Sequence, residues 1–202
     1  MDISRGRSMK TVLEFDIDDL GELPEGFESE VRFTESFAQY FIGKFTEKGD
    51  SVLDPFAGFG TSLKAAEQLG RNGYGIEYDK HKVQHIESKI SDAEIVEGSA
   101  LEVDSFELPK FELCITSPPY MARSMCTNPL QNYSGKSNYE EYLERLKELF
   151  EDLRPRIKSG GHVLVEVSNM KVEGDVTTLA WDIKNKISES FKFEGEIVII
   201  WK

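Results

Sequence analysis

Cysteine is nearly absent from this 202-residue chain, with Cys114 and Cys126 as the two instances and no Cys-x-x-Cys pair. The three histidines, His81, His85 and His162, complete no metal-ligand spacing. A disulfide framework and a zinc site are therefore both unexpected, and no metal is assigned. Long apolar runs are missing as well. No stretch of about 18 apolar residues occurs, and Met1 to Thr11 lacks the core of a signal peptide, so the expected address is the cytoplasm of a prokaryotic cell. Positive charge is scarce: 24 Lys and Arg stand against 37 Asp and Glu, for a net charge of −13. Such a chain repels polyanions at long range and would need local charge, salt or a partner to hold one. Internal repeats and low-complexity tracts are also lacking.

What is present suits one globular domain. Apolar residues make up 39% of the chain and include 13 Phe, 7 Tyr and 2 Trp, enough bulk for a sizeable core. Residues 1–30 form a polar N-terminal segment in which Thr11 to Phe15 alternates like an edge strand, and residues 31–202 hold the main domain. In that domain apolar strand candidates near 51–55, 73–77, 94–97, 112–116, 162–168 and 196–201 alternate with helical patterns. Thr34 is a plausible N-cap for a helix carrying Phe37, Tyr40, Phe41 and Phe45. Further helices are expected at 61–69, 79–90, 139–158 and 178–191. This alternation predicts an α/β, Rossmann-like fold, a mostly parallel sheet of six or seven strands with helices on both faces.

The sharpest turn is Asp54-Pro55-Phe56-Ala57-Gly58-Phe59-Gly60-Thr61, which follows an apolar strand and opens a helix. A Rossmann-like sheet places its cofactor at such a turn, and Gly58 and Gly60 would let backbone approach a ligand closely. The third glycine of a dinucleotide fingerprint is missing, as is the Gly-Lys-Ser/Thr of a phosphate loop, so a ligand without phosphates fits better. Glu77 ends the next strand near the spacing at which an acid meets ribose hydroxyls, which points to an adenosine.

The second motif, Cys114-Ile115-Thr116-Ser117-Pro118-Pro119-Tyr120, ends the fourth strand of the main domain and falls at the same carboxyl edge. A Pro-Pro pair cannot continue a ladder, so it makes a rigid exit that carries Ser117 and Tyr120 into the crevice. Taken together, the Asp-Pro-Phe-x-Gly-x-Gly-Thr and Thr-Ser-Pro-Pro-Tyr motifs make the chain resemble the N4-cytosine and N6-adenine amino-methyltransferases of nucleic acids. The resemblance runs from about Arg32 to Lys202 and takes in Leu69 to Glu77, so that 31–202 would be a methyltransferase catalytic domain.

The resemblance implies S-adenosylmethionine as cofactor, held by Phe33, Thr34, Asp54, Pro55, Phe56, Gly58, Gly60, Thr61, Glu77, Tyr78, Ser99 and Ala100. It implies Ser117, Pro118, Pro119 and Tyr120 as catalytic residues, with Ser117 and the Pro118 carbonyl gripping an amino group and Tyr120 stacking on an extruded base. Relatives commonly carry Gly-Asp where this chain has Gly98-Ser99. The family also expects a seventh strand, for which Thr11 to Phe15 is the candidate. Serine at position 117, where adenine enzymes often carry aspartate, favours cytosine N4. A C5-cytosine enzyme would need a Pro-Cys dipeptide, and none occurs.

Arg123 and Lys136, in the long polar loop between Met121 and Asn138, are candidate nucleic-acid contacts, and Arg5, Arg7 and Lys10 form a second basic group. With net charge −13 and no block left over for reading a DNA sequence, a structured RNA or a ribosomal particle is the preferred partner, with DNA second and a protein partner a further source of target recognition. Three rival activities stand beside this one: an N6-adenine DNA modification enzyme, a protein glutamine-amide methyltransferase, in which asparagine usually precedes Pro-Pro-Tyr, and a non-catalytic cofactor-binding subunit.

Overall fold

The computed structural model describes residues 11–17, 32–131 and 135–202. Its centre is a five-stranded sheet in the order β4-β3-β2-β5-β6, parallel throughout. These strands are β2 (Ser51–Asp54), β3 (Asn72–Glu77), β4 (Glu94–Glu97), β5 (Phe111–Thr116) and β6 (Ile157–Val165). The intervening helices are α2 (Thr61–Gln68), α3 (Lys80–Lys89) and α4 (Tyr139–Leu153), and α1 (Glu35–Phe45) precedes β2. None of the described helices is long and apolar enough to cross a membrane.

Alternation along the strands separates the two larger core clusters, and a third, of Ala57, Leu63, Ile86 and Ile90, lies under α3. Leu53, Ile76 and Cys114 face α4 and α5 (Leu179–Ile187), where Tyr142, Leu146, Phe150 and Ile183 are buried. Val52, Leu113 and Ile115 face the other way, against Phe37, Phe41 and Ile42 of α1 and Ala65 and Ala66 of α2. Helix α1 begins where expected, because the Thr34 hydroxyl accepts from the Phe37 N–H at 3.2 Å and caps it. Helix α4 is shorter than its pattern suggested. Pro155 lies just past Leu153 in a 3₁₀ turn, and the chain goes straight into β6, which already includes Gly160 and Gly161.

The sheet is also narrower than expected, with five strands among the described residues in place of six or seven. Both segments that would have widened it do form strands, β1 (Val12–Phe15) and β9 (Val198–Trp201), but they pair in parallel with each other. Their inward residues explain the position. Phe15 and Trp201 lie 5.4 and 5.7 Å from the Phe37 ring, so the pair is fixed by aromatic packing on α1 and not by a ladder to β6. A small antiparallel hairpin of β7 (Met170–Val172) and β8 (Asp175–Thr177), with no counterpart in the sequence pattern, precedes α5.

Phe37, 1% exposed, thus joins α1, β1 and β9. Its replacement by Ala should cost about 3–5 kcal/mol of unfolding free energy in urea and loosen Trp201, read as a shift in tryptophan emission.

Candidate active site

The two motifs meet on one carboxylate. Asp54 is 2% exposed at the end of β2 and accepts three hydrogen bonds. They come from the Ser62 hydroxyl in α2, from the Thr116 hydroxyl at 2.7 Å and from the Phe56 N–H at 3.1 Å. The aspartate therefore ties the start of the glycine turn to the helix after it and to the strand that delivers Ser117. Burial outweighs these donors and pushes its pKa up to about 6.

Within the turn the two glycines have different surroundings. Gly58 has φ of 56°, and a side chain there would project into open space, with the Phe56 carbonyl oxygen nearest at 4.0 Å. The backbone at Gly58 is thus open to close approach. Gly60 has φ of 80°, and a Cβ on it would lie 2.9 Å from both Ile86 and Ile90. A side chain at Gly60 is therefore excluded by the packing of the turn against α3 as well as by the backbone angle. Pro55 is buried, Phe56 packs against the larger core cluster, and Thr61 opens α2.

Glu77 stands where the spacing argument put it, at the end of β3. Its carboxylate accepts from the Gly58 N–H and the Asp79 N–H, each at 2.8 Å, and burial raises its pKa. Each oxygen keeps a second lone pair for a ribose hydroxyl. The Gly98 N–H donates to the Glu77 carbonyl at 3.0 Å, which brings the next strand end alongside. There Ser99 accepts from the Leu101 N–H, and Ala100 is buried. Tyr78 is 61% exposed just beyond Glu77. Phe33 and Thr34 sit at the start of α1, where ring packing on Phe37 and helix capping account for both. An open glycine backbone, a ribose-height carboxylate and a serine turn along one sheet edge fit an adenosine-bearing cofactor.

On the other side of Asp54, β5 ends at Thr116, and Ser117 and Tyr120 are half-buried beyond it, with Pro118 buried between them. The Tyr142 hydroxyl donates to the Pro119 carbonyl at 2.8 Å and fixes the Pro-Pro exit to α4. Both motif hydroxyls meet a residue that neither motif contains. Ser117 Oγ and Tyr120 Oη donate to Glu166 Oε2 at 2.8 and 3.1 Å. Burial, and then the charge of Glu166, holds the Tyr120 phenol well above its usual pKa, so it stays protonated. Glu166 follows β6 at the carboxyl edge as Glu77 follows β3, a place hidden in the sequence because the apolar run was read as a strand to 168.

The loop after the motif is more tightly packed than its polarity suggested. Met121, Ala122 and Asn128 are buried, which brings its first half into the core. Arg123 pairs with Asp182 at 2.9 Å and lies over the Tyr139 ring at 5.3 Å, while Lys136 is exposed. Arg5, Arg7 and Lys10 lie outside the described residues. Cys114 is fully buried in β5 with its thiol pushed well up in pKa, which suits a core residue and not a nucleophile.

A parallel sheet with a glycine turn after one strand, a ribose-height acid after the next and a second motif at the same edge defines a class I methyltransferase. A family model described as DNA methylase, of the N6 and N4 type, matches residues 21–88 and 111–202, and the chain belongs to that family. Its cofactor is S-adenosylmethionine. Among curated proteins it is 48% identical over 58 residues to the Type II methyltransferase M.MjaI of Methanocaldococcus jannaschii, covering 29% of this chain and 19% of that protein. It is 29% identical over 102 residues to M.SmaI of Serratia marcescens, covering 50% and 35%. These matches thus span about a third or less of the relatives' length. In fold it is similar to a TehB-like SAM-dependent methyltransferase from Corynebacterium glutamicum, at TM-score 0.53 and 12% identity over 76% of this chain and 71% of that one. A precorrin-6y C5,15-methyltransferase from Geobacter metallireducens gives TM-score 0.52 and 15% identity over 86% and 74%.

Titration calorimetry with S-adenosylmethionine should separate the glycines. Gly58→Val and Glu77→Ala should each weaken binding at least ~10-fold, about 1.4 kcal/mol, whereas Gly60→Val should mainly lower the melting temperature. The sign of the Asp54 shift gives a second expectation. Its folded pKa of about 6 exceeds the ordinary 3.8, so the neutral acid favours folding, fully below about pH 4, and that contribution is lost as pH rises through about 6. Asp54→Asn should flatten stability against pH in that window, as read by denaturant midpoints.

Proposed function

We propose that this chain transfers a methyl group from S-adenosylmethionine to an exocyclic amino group of a DNA base, with cytosine N4 the preferred target. One observation carries the reading: Thr116, next to Ser117, donates to the same buried Asp54 that positions the glycine turn, so cofactor and target sites share a fixed geometry. The family match and the Type II relatives favour DNA as the polymer. The case for structured RNA depends partly on having no residues left to read a DNA sequence, and that ground weakens for a chain whose matches span about a third or less of its relatives' length. Target recognition is then assigned to a partner, with Lys136, exposed in the loop after the second motif, as a candidate contact and Arg123 already paired to Asp182.

The amino nitrogen of cytosine is a poor nucleophile because its lone pair is delocalised into the ring. Ser117 Oγ and the Pro118 carbonyl would accept its two hydrogens, drawing it toward tetrahedral geometry with the lone pair aimed across the crevice. Tyr120, fixed by Glu166 and by the Ser168 N–H at 3.1 Å, would stack on the base once it leaves the helix. When bound, S-adenosylmethionine supplies an electrophilic methyl group. Glu77 and the turn at Gly58 hold the donor while Ser117 holds the acceptor, and alignment of this kind can supply roughly 7 to 11 kcal/mol.

Nucleoside mass spectrometry of DNA and RNA from cells making the wild type should find N4-methylcytosine in DNA. N6-methyladenine in its place would reassign the base, and methylation confined to RNA would reassign the polymer. Ser117→Ala and Tyr120→Ala should lose ~100-fold or more in turnover with cofactor affinity within about threefold, since both act on the target base.

A further inference from the structure

Glu166 lies one residue past β6, and its N–H donates to the Thr116 carbonyl at 2.9 Å, so the parallel register runs one step beyond the strands and sets it beside Ser117. A hydroxyl has one hydrogen and two lone pairs. Ser117 commits its hydrogen to Glu166 and can only accept from the crevice side. Tyr120 gives its hydrogen to the same oxygen and receives the Ser168 N–H, which fixes the ring through its tip. An amino group presented to Ser117 meets an acceptor. A carbonyl oxygen there would set lone pair against lone pair.

We infer that Glu166 is the positioning residue of the methyl transfer: it locks Ser117 as an acceptor, so that the site takes an amino group and refuses a carbonyl, and it receives the proton that Ser117 relays. The inference rests on the amino-methylation reading above. As the bond from the amino nitrogen to the methyl carbon forms, the carbon–sulfur bond breaks and its electron pair returns to sulfur, leaving a neutral thioether. The nitrogen, briefly cationic, passes one proton to Ser117 Oγ while the serine proton moves to Glu166 Oε2. The base leaves neutral and methylated, Ser117 is restored, and Glu166 ends as the carboxylic acid, to be deprotonated by solvent.

The test uses the full chain, labelled S-adenosylmethionine and genomic DNA from a host that lacks the modification. Glu166→Gln keeps an oxygen that can accept from Ser117 but cannot take up a proton, and Glu166→Ala removes both capacities. Glu166→Gln should lower kcat ~100-fold and Glu166→Ala further, with KM for DNA and the Kd for cofactor within about threefold, and Glu166→Asp should recover part of the loss. Ser117→Ala combined with Glu166→Gln should be about as slow as Ser117→Ala alone, because residues acting as one unit are non-additive. A Glu166→Gln enzyme within threefold of wild-type kcat, or fully additive losses, would overturn the inference while leaving the amino-methylation reading intact. No methyl transfer by the wild type, either to genomic DNA or to a single-stranded cytosine oligonucleotide that needs no sequence reading, would overturn both. If Glu166→Ala does not fold, the near-isosteric Gln and Asp variants decide.

Discussion

The site depends on one buried carboxylate. Burying an acid away from water is costly unless donors surround it, and Asp54 is met by a backbone N–H, a serine and a threonine drawn from three parts of the chain. Each donor is itself at a place that matters: the turn at Phe56, the first residues of α2, and the strand end beside Ser117. Because the three bonds converge on two oxygens, moving any one segment would strand part of a polar group in the core. On the proposed reading, the distance between donor and target sites is thereby set before either ligand arrives, which is what transfer between two bound molecules requires.

A second layer of the same logic uses acids at the strand ends. Glu77 braces the N–H of Gly58, and Glu166 gathers the hydroxyls of Ser117 and Tyr120. The chain is strongly acidic as a whole, yet these carboxylates work as local acceptors at half-buried positions and owe nothing to net charge. Composition therefore weighed against a polyanionic substrate without touching the chemistry of the crevice.

Much of this was legible in the sequence because the elements are local. Thr34, Gly60 and Asp79 mark helix starts through caps and turns that need only a few neighbouring residues, and the apolar runs at 51–55 and 112–116 name buried parallel strands. What was not legible depends on distance in the chain. The hydrogen bonds of β1 and β9 are exchanged with each other because Phe15 and Trp201 prefer the rings of α1, a tertiary choice that alternation cannot show. The different surroundings of Gly58 and Gly60 depend on where Ile86 and Ile90 lie, and Glu166 gains its meaning only when β6 is laid beside β5 in register. The hairpin of β7 and β8 is too short to leave a periodic trace.

The pairing of β1 with β9 also bears on how the molecule comes together. Its two strands stand at opposite ends of the described chain, so the ladder closes a loop containing every strand of the central sheet. Such a contact has the largest closure entropy in the fold and gains little until α1 is already seated, so it should be among the last to form. Native opening should then have two tiers. The peripheral ladder would exchange its amide hydrogens on its own, while the amides around Asp54 would wait for the whole domain to unfold. The geometry around Asp54 would thus be kinetically insulated from fraying at the aromatic flank.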